Sequence, residues 1–273
     1  MSHAAVSLKR SQSIMEIAVI SAAMNEKKVW RTPQFSLELA AGSRDIAAAQ
    51  RLRFRVFVEE MGARATVHSP EREHDYFDPW CEHLIVRDRA SGDVVGTYRV
   101  LTTDNARRLG AFCAEREFDL TRLRHLRRQL VELGRACVDP AYRTGATSSL
   151  LLSGVAKIAR ARGASHLIGC ASISMNDGGA NAAAVYAQLA RRYLAPTEHR
   201  VIPRSPLAAL ADPTAPTWVM PPLIKAYLRL GAWIGGEPAW DPDFNVADLL
   251  VFLPIVRAEA RCARPFAHDR QAA

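Results

Sequence analysis

The sequence has no apolar run near the roughly 18 residues that a membrane-spanning helix requires. Its longest, Leu150 to Ile158 and Asp248 to Val256, fall well short. None of its five cysteines, Cys81, Cys113, Cys137, Cys170 and Cys262, belongs to a CxxC pair, and no His/Cys cluster stands at metal-ligand spacing. A disulfide framework and a zinc site are therefore not expected, and the thiols read as isolated and buried. No helix-turn-helix or zinc-finger pattern accompanies the dispersed arginines, so nucleic acid is not the expected partner. Internal repeats and low-complexity tracts are absent. The opening stretch also lacks a clean signal peptide, because its apolar run Ile14 to Met24 is broken by Glu16 and Ser21. Residues 1–32 read as a loosely ordered extension of a cytoplasmic chain.

What is present is a globular composition: 273 residues, 49% hydrophobic and 23% charged. One large domain over residues 33–258 with a tail at 259–273 fits best. The net charge of +8 calls for an acidic partner, which an acidic carrier protein or an anionic lipid surface would satisfy equally. The densest basic cluster is Arg122, Arg124, Arg127 and Arg128 with His125. It reads either as a docking patch or as a solvated face.

Phe35 to Leu39 alternates as a strand, and a helix is expected from Arg44 to about Met61. Residues 62–79 form a long polar loop, of the kind that is usually functional or disordered. His83 to Arg87 and Val94 to Leu101 flank Ser91-Gly92-Asp93, a hairpin signal. A central strand is expected over Leu130 to Val138, stopped by Asp139-Pro140. It is followed by a turn and an amphipathic helix to about Arg162, closed by Gly163. Strands at His166 to Ser172 and Ala247 to Ile255, and helices at Ala182 to Tyr193 and Pro221 to Ile234, complete a mixed α/β sheet. Lys225 and Arg229 beside the aromatic and apolar residues of 221–240 raise a peripheral membrane contact, but a helix docked on the sheet is the preferred reading there.

Between the central strand and its helix lies Arg143-Thr144-Gly145-Ala146-Thr147. A turn of small residues opening a helix leaves backbone N–H groups aimed at one point, which suits a phosphate, and Arg143 adds charge. By itself this is no more than an ordinary strand-to-helix turn. The segment resembles the phosphate turn of the GNAT N-acyltransferases, Gln/Arg-x-x-Gly-x-Gly/Ala, running here Arg143-x-x-Ala146-x-Ser148. The GNAT likeness implies a mixed, mostly antiparallel central sheet flanked by helices. A carrier protein's 4'-phosphopantetheine arm, with a single phosphate, would tolerate the missing glycines better than coenzyme A would, and no permanently bound cofactor is implied.

Further motifs resemble the acyl-homoserine-lactone synthases, a GNAT branch that uses acyl carrier protein: Arg53 with Phe57, Asp75 with Asp78, Arg99, then Glu132 with Arg135. The pattern departs at Ala63, where a tryptophan is expected, which weighs against homoserine lactone as product. A fuller likeness, from about Phe35 to Ile255, is to the ornithine-acyl carrier protein N-acyltransferases. It is carried by RLRFRVFVEEMGA, FDPWCEHLIVRD, GTYRVL, EFDL, ELGRACVDPAYR and the long segment 221–254. The resemblance implies transfer of a 3-hydroxyacyl chain from acyl carrier protein to the α-amine of ornithine, giving lyso-ornithine lipid. That lipid product would bring the cytoplasmic enzyme to the inner face of the membrane. Transfer to another amine, or a catalytically silent scaffold that binds carrier protein or membrane, are the alternatives.

As chemistry, an ammonium acceptor must lose a proton before it attacks a thioester, and the oxyanion that forms must be stabilised. Glu132 is the candidate base, directly or through a water; a structural salt bridge to Arg135 is equally open. Strand N–H groups near Gly134 or Arg135 would hold the oxyanion. Asp75 and Asp78 could hold ammonium groups or cap turns, and Arg53 or Arg99 could clamp a carboxylate or pair with those same aspartates. Phe57 and Phe112 suit the core and an acyl pocket alike. Cys81-Glu82-His83 is a weak nucleophile candidate, since alternate residues of a strand face opposite ways.

Overall fold

A computed structural model describes residues 34–64, 71–207 and 218–263. The extension expected over residues 1–32 lies outside them. The boundary expected at 258 falls inside a helix, and residues 264–273 are also outside. An eight-stranded sheet forms the spine. Its strands are β1 (Phe35–Leu39), β2 (Glu82–Asp88), β3 (Val94–Leu101), β5 (Leu130–Val138), β6 (His166–Ser174), β10 (Val246–Pro254) and β8 (Trp233–Ile234) in spatial order, with β9 (Ala239–Asp241) also pairing β10. Two short strands, β4 (Phe118–Asp119) and β7 (Ile202–Pro203), pair separately. Among the described strands, β5 and β6 run parallel and the other strand pairs are antiparallel.

One face of the sheet is covered by α3 (Ala146–Ala161), α4 (Ala180–Ala190), α5 (Pro222–Leu230) and α6 (Ile255–Ala263), over a core that includes Leu84, Val100, Leu133, Val155, Leu189 and Leu253. Close contact here depends on missing side chains. A Cβ at Gly96 would lie 2.6 Å from the Thr147 methyl, and one at Gly154 about 3 Å from Leu84 and Leu37. The segment once weighed as a membrane contact is thus a docked helix: α5 buries Ile224, Tyr227 and Leu230.

The other face carries α1 (Ser43–Arg53), α2 (Thr103–Leu109) and several short 3-10 turns around Phe77, Phe112, Phe118 and Phe252. The single helix expected from Arg44 to Met61 changes character midway, with a π-helical continuation over Phe54–Glu60. The extra residue per turn redirects Phe57 and its neighbours, a distortion found mostly at functional sites.

Candidate active site

Six charged side chains close into a ring of alternating sign. Arg53 meets Asp78 and, through Nε, Glu73 at 2.8 Å. Glu73 meets Arg135 at 3.0 Å, and Arg135 meets Asp75 at 3.2 Å. Asp75 meets Arg99 at 2.6 Å, and Arg99 returns to Asp78 at 2.8 Å. The ring pins the long loop that ends at Asp78 against α1, β3 and β5. Burial opposes ionisation of Asp75 and Asp78, yet the guanidinium groups outweigh it and hold both carboxyls below the usual range.

Sequence spacing singled out five ring members and missed Glu73. The structure corrects the role expected for Arg53. It is fully buried, and Asp78, Glu73 and the Glu73 carbonyl take up its guanidinium, so it has no face for a substrate carboxylate. Arg99 is likewise enclosed, 3% exposed and bonded to both aspartates. Asp75 and Asp78 are therefore neutralised within the protein. Only Arg135, with 22% of its side chain exposed, opens the ring outward. Its guanidinium lies 4.5 Å from the Phe244 ring, which meets Phe57 edge-on at 5.9 Å.

Arg135 sits on a β-bulge. On β3 two steps separate Thr97 and Arg99, whereas their partners on β5, Cys137 and Gly134, lie three apart. Arg135 occupies the extra position with φ of +52°, a strained conformation for a non-glycine residue that tends to mark functional sites. Pairing of β5 with β6 ends at Glu132 and Ile168. Beyond that point the strands part into a cleft whose β5 wall is the bulge.

The bulge decides how Glu132 and Arg135 relate. They form no ion pair, because Arg135 is turned to Glu73 and Asp75. Glu132 instead accepts the backbone N–H groups of Cys113 and Ala114, each at 2.6 Å. Burial pushes its carboxyl up to about 7, against the lowering effect of those two amides. A carboxyl poised near neutrality in a cleft is suited to proton transfer.

The turn before α3 keeps its expected shape: Gly145 has φ of +90°, and the helix's backbone bonds begin with Ser149 N–H to the Gly145 carbonyl. The amides of Ala146, Thr147 and Ser148 thus form the open end of the helix. Two side chains there are engaged elsewhere. The Thr147 hydroxyl is buried and donates to the Tyr142 carbonyl at 3.2 Å, so only its backbone faces the turn. Arg143 forms a bidentate pair with Glu60, both bonds at 2.6 Å.

The basic 3-10 segment Thr121–Gln129 leads into the start of β5, whereas the α3 turn follows its end. The nine-residue strand holds them roughly 25–30 Å apart, so the cluster of Arg122, Arg124, His125, Arg127 and Arg128 cannot serve a phosphate at the turn.

Farther along the same face, Glu117, Asp241 and Asp248 bring carboxyl oxygens within 4.8 Å of one another. Burial raises the carboxyls of Glu117 and Asp248, the latter to about 6; Asp248 and Asp241 add to the rise of Glu117, Asp241 adds to that of Asp248, and Ser172 donates to Asp248 at 2.7 Å. Burial disfavours the thiolate at the described cysteines: it pushes Cys81 and Cys137 up to about 12 and Cys113 and Cys170 higher still. His83 is occupied by the Asp78 carbonyl at 3.0 Å.

The acetyltransferase (GNAT) domain family matches residues 52–153, which hold the end of α1, the ring, the bulge and the α3 turn. An L-ornithine N(alpha)-acyltransferase of Agrobacterium fabrum is 39% identical over 250 residues, 85% of this chain and 84% of its own. One of Rhodobacter capsulatus is 37% identical, over 80% of this chain and 89% of its own. The chain belongs to the L-ornithine N(alpha)-acyltransferase family. Like other members of the GNAT superfamily it is an acyltransferase. Among solved structures, an N-acyl amino acid synthase from uncultured soil microbes superposes with a TM-score of 0.53, at 13% identity, covering 84% of this chain and 95% of that one. That likeness establishes the shared fold.

Several residues of this ornithine acyltransferase-family site escaped sequence reasoning. Glu73 stood in the same acid-rich loop as Asp75 and Asp78, and that density was its signal. Asp248 is the one charged residue in a strand buried at every position. The Cys113 and Ala114 amides and the Phe244 ring left no local trace, because only the tertiary fold brings them to Glu132 and Arg135.

Proposed function

We propose that this acyltransferase moves a (3-hydroxy)fatty acyl group from the 4'-phosphopantetheine thioester of acyl carrier protein to the α-amine of ornithine. The product is lyso-ornithine lipid, and attack by the amine is direct. The reading rests above all on relatives named L-ornithine N(alpha)-acyltransferase at 35–39% identity. The electrostatics of the face agree with a dicationic amino acid as acceptor. Glu132, Glu117, Asp241 and Asp248 are carboxyl groups of this face that make no ion pair among the described residues.

In this mechanism the pantetheine phosphate meets the open amides of Ala146, Thr147 and Ser148, with Arg143 released from Glu60 to join them. The thioester enters the cleft between β5 and β6, and the acceptor's carboxylate pairs with the exposed edge of Arg135. The amine nitrogen attacks the carbonyl carbon as Glu132 takes its proton. N–H groups at the bulge stabilise the oxyanion. Collapse breaks the C–S bond, and the carrier thiolate leaves and is protonated from Glu132 or solvent.

The basic segment Arg122–Arg128 gives the protein a surface for the anionic membrane that receives its lipid product. No helix among the described residues is long and apolar enough to cross one.

Purified protein supplied with 3-hydroxyacyl carrier protein and ornithine is expected to release free carrier thiol and form N-acylornithine of the matching mass. No thiol release with ornithine, alongside release with a different amine, would replace ornithine as the acceptor.

A further inference from the structure

Behind the bulge, on the helical face of the sheet, a narrow cavity of about 10 Å³ is lined by Leu133, Gly169, Tyr98 and Tyr227 among others. At Leu167, Tyr227 and Leu253 it adjoins an apolar groove of about 40 Å³, open at its outer end between α3 and α6. The walls of the groove are aliphatic apart from Tyr227, Arg160 and Glu259. The neck differs: there the hydroxyls of Tyr98 and Tyr227 meet at 2.6 Å.

These two hydroxyls belong to residues only 4% and 6% exposed, and they bond to each other and to nothing else among the described residues. Two hydroxyls carry two protons, and only one can lie in the bond they share. The second O–H, and the lone pairs left over, have no protein partner in an apolar surrounding, where an unmade hydrogen bond is costly. Tyr98 also holds a particular place in the sheet. It lies between Thr97 and Arg99, where β3 loses register with β5, and so stands opposite the bulge at Arg135. A chain entering from the bulge passes the tyrosine pair before it reaches the aliphatic groove.

We infer that the Tyr98–Tyr227 hydroxyl pair is a specificity site for an acyl chain bearing a hydroxyl close to its thioester, with the rest of the chain in the groove between α3 and α6. The inference rests on the acyl-transfer reading above and assigns the part of that site that reads the donor chain. The substrate hydroxyl takes up the spare O–H and lone pairs of the pair. An unsubstituted chain passes the same point and leaves them unmet.

The test compares kcat/KM for 3-hydroxyhexadecanoyl and hexadecanoyl carrier protein, with ornithine as acceptor, in the wild type, Tyr98→Phe and Tyr227→Phe. The wild type is expected to favour the hydroxylated chain by about tenfold, the scale of one neutral hydrogen bond. Either variant should bring the ratio close to one by losing rate on the hydroxylated chain. Displacement of a bound fluorescent fatty acid by free 3-hydroxyhexadecanoate or hexadecanoate should show the same preference, and it requires no turnover. Equal handling of the two chains by the wild type overturns the inference, as does an equal loss on both in the variants, which would make the pair a structural tie between β3 and α5. If ornithine is not acylated from either chain, the transfer reading fails, and the displacement ratio still decides whether the tyrosines read the hydroxyl.

Discussion

Arg53 grips Asp78 with both terminal nitrogens of its guanidinium in a place that water does not reach. Each group answers the charge of the other, and Glu73 balances what remains. Removing one member of such a buried pair strands its partner, which costs roughly 3–5 kcal/mol. Arg53→Met is therefore expected to lower the urea-unfolding free energy by about that amount. Arg53→Lys, unable to make the fork, should recover only part of it.

The same ring predicts sensitivity to acid. Asp75 and Asp78 titrate below their unfolded range of about 4. The stability they confer is present above that pH and disappears as the pH falls through their folded values. Thermal unfolding followed downward from pH 5 should show a steep loss, and Asp75→Asn should flatten it.

Activity should follow Glu132. Its carboxyl, pushed up to about 7 by burial, is protonated and unable to accept a proton at lower pH. The kcat/KM for ornithine is expected to rise with pH and level off above an apparent pKa near 7. Glu132→Gln should remove that limb and lower kcat by roughly 10²–10⁴-fold, with carrier-protein binding retained when measured by titration. A variant that kept the wild-type rate would exclude Glu132 as the base.

The Glu117–Asp248 pair has the opposite effect on stability. Burial raises both carboxyls, Asp248 raises Glu117 further, and the nearby Asp241 adds to the rise of each. The stability associated with their protonated forms is complete below their unfolded range of about 4 and is lost as the pH rises from there through their folded values, about 6 for Asp248. Asp248→Asn keeps a partner for Ser172 and removes one charge. Its melting temperature should exceed that of the wild type at pH 8.5 by more than at pH 5.5.

Gly169 sets the spacing of β5 and β6. A Cβ there would stand 2.4 Å from the Leu133 carbonyl oxygen, and backbone cannot yield as a side chain can. Gly169→Ala is expected to cost about 1–3 kcal/mol on denaturant unfolding. It should also raise KM for the acyl carrier by widening the cleft that receives the thioester.

The sequence made the sheet legible because alternation, turn residues and the proline after Val138 all act locally. It also marked five members of the ionic ring. It could not show that the ring closes on itself, because Glu73, Arg99 and Arg135 come from separate stretches of chain and closure is a tertiary fact. That closure is why Arg53 is structural, whereas residue type alone suggested a clamp. The bulge left no local signal in the sequence beyond Gly134 beside Arg135. In the structure the positive φ falls on Arg135 itself.

In the proposed mechanism the two ends of β5 divide the molecule's work. Its far end opens toward the α3 amides, where an acyl carrier would deliver its cargo, and its near end presents the arginines of residues 122–128. A negatively charged surface bound at the near end leaves the loading end clear. Such an enzyme could stay moored through many rounds of supply, so that turnover would not depend on letting go.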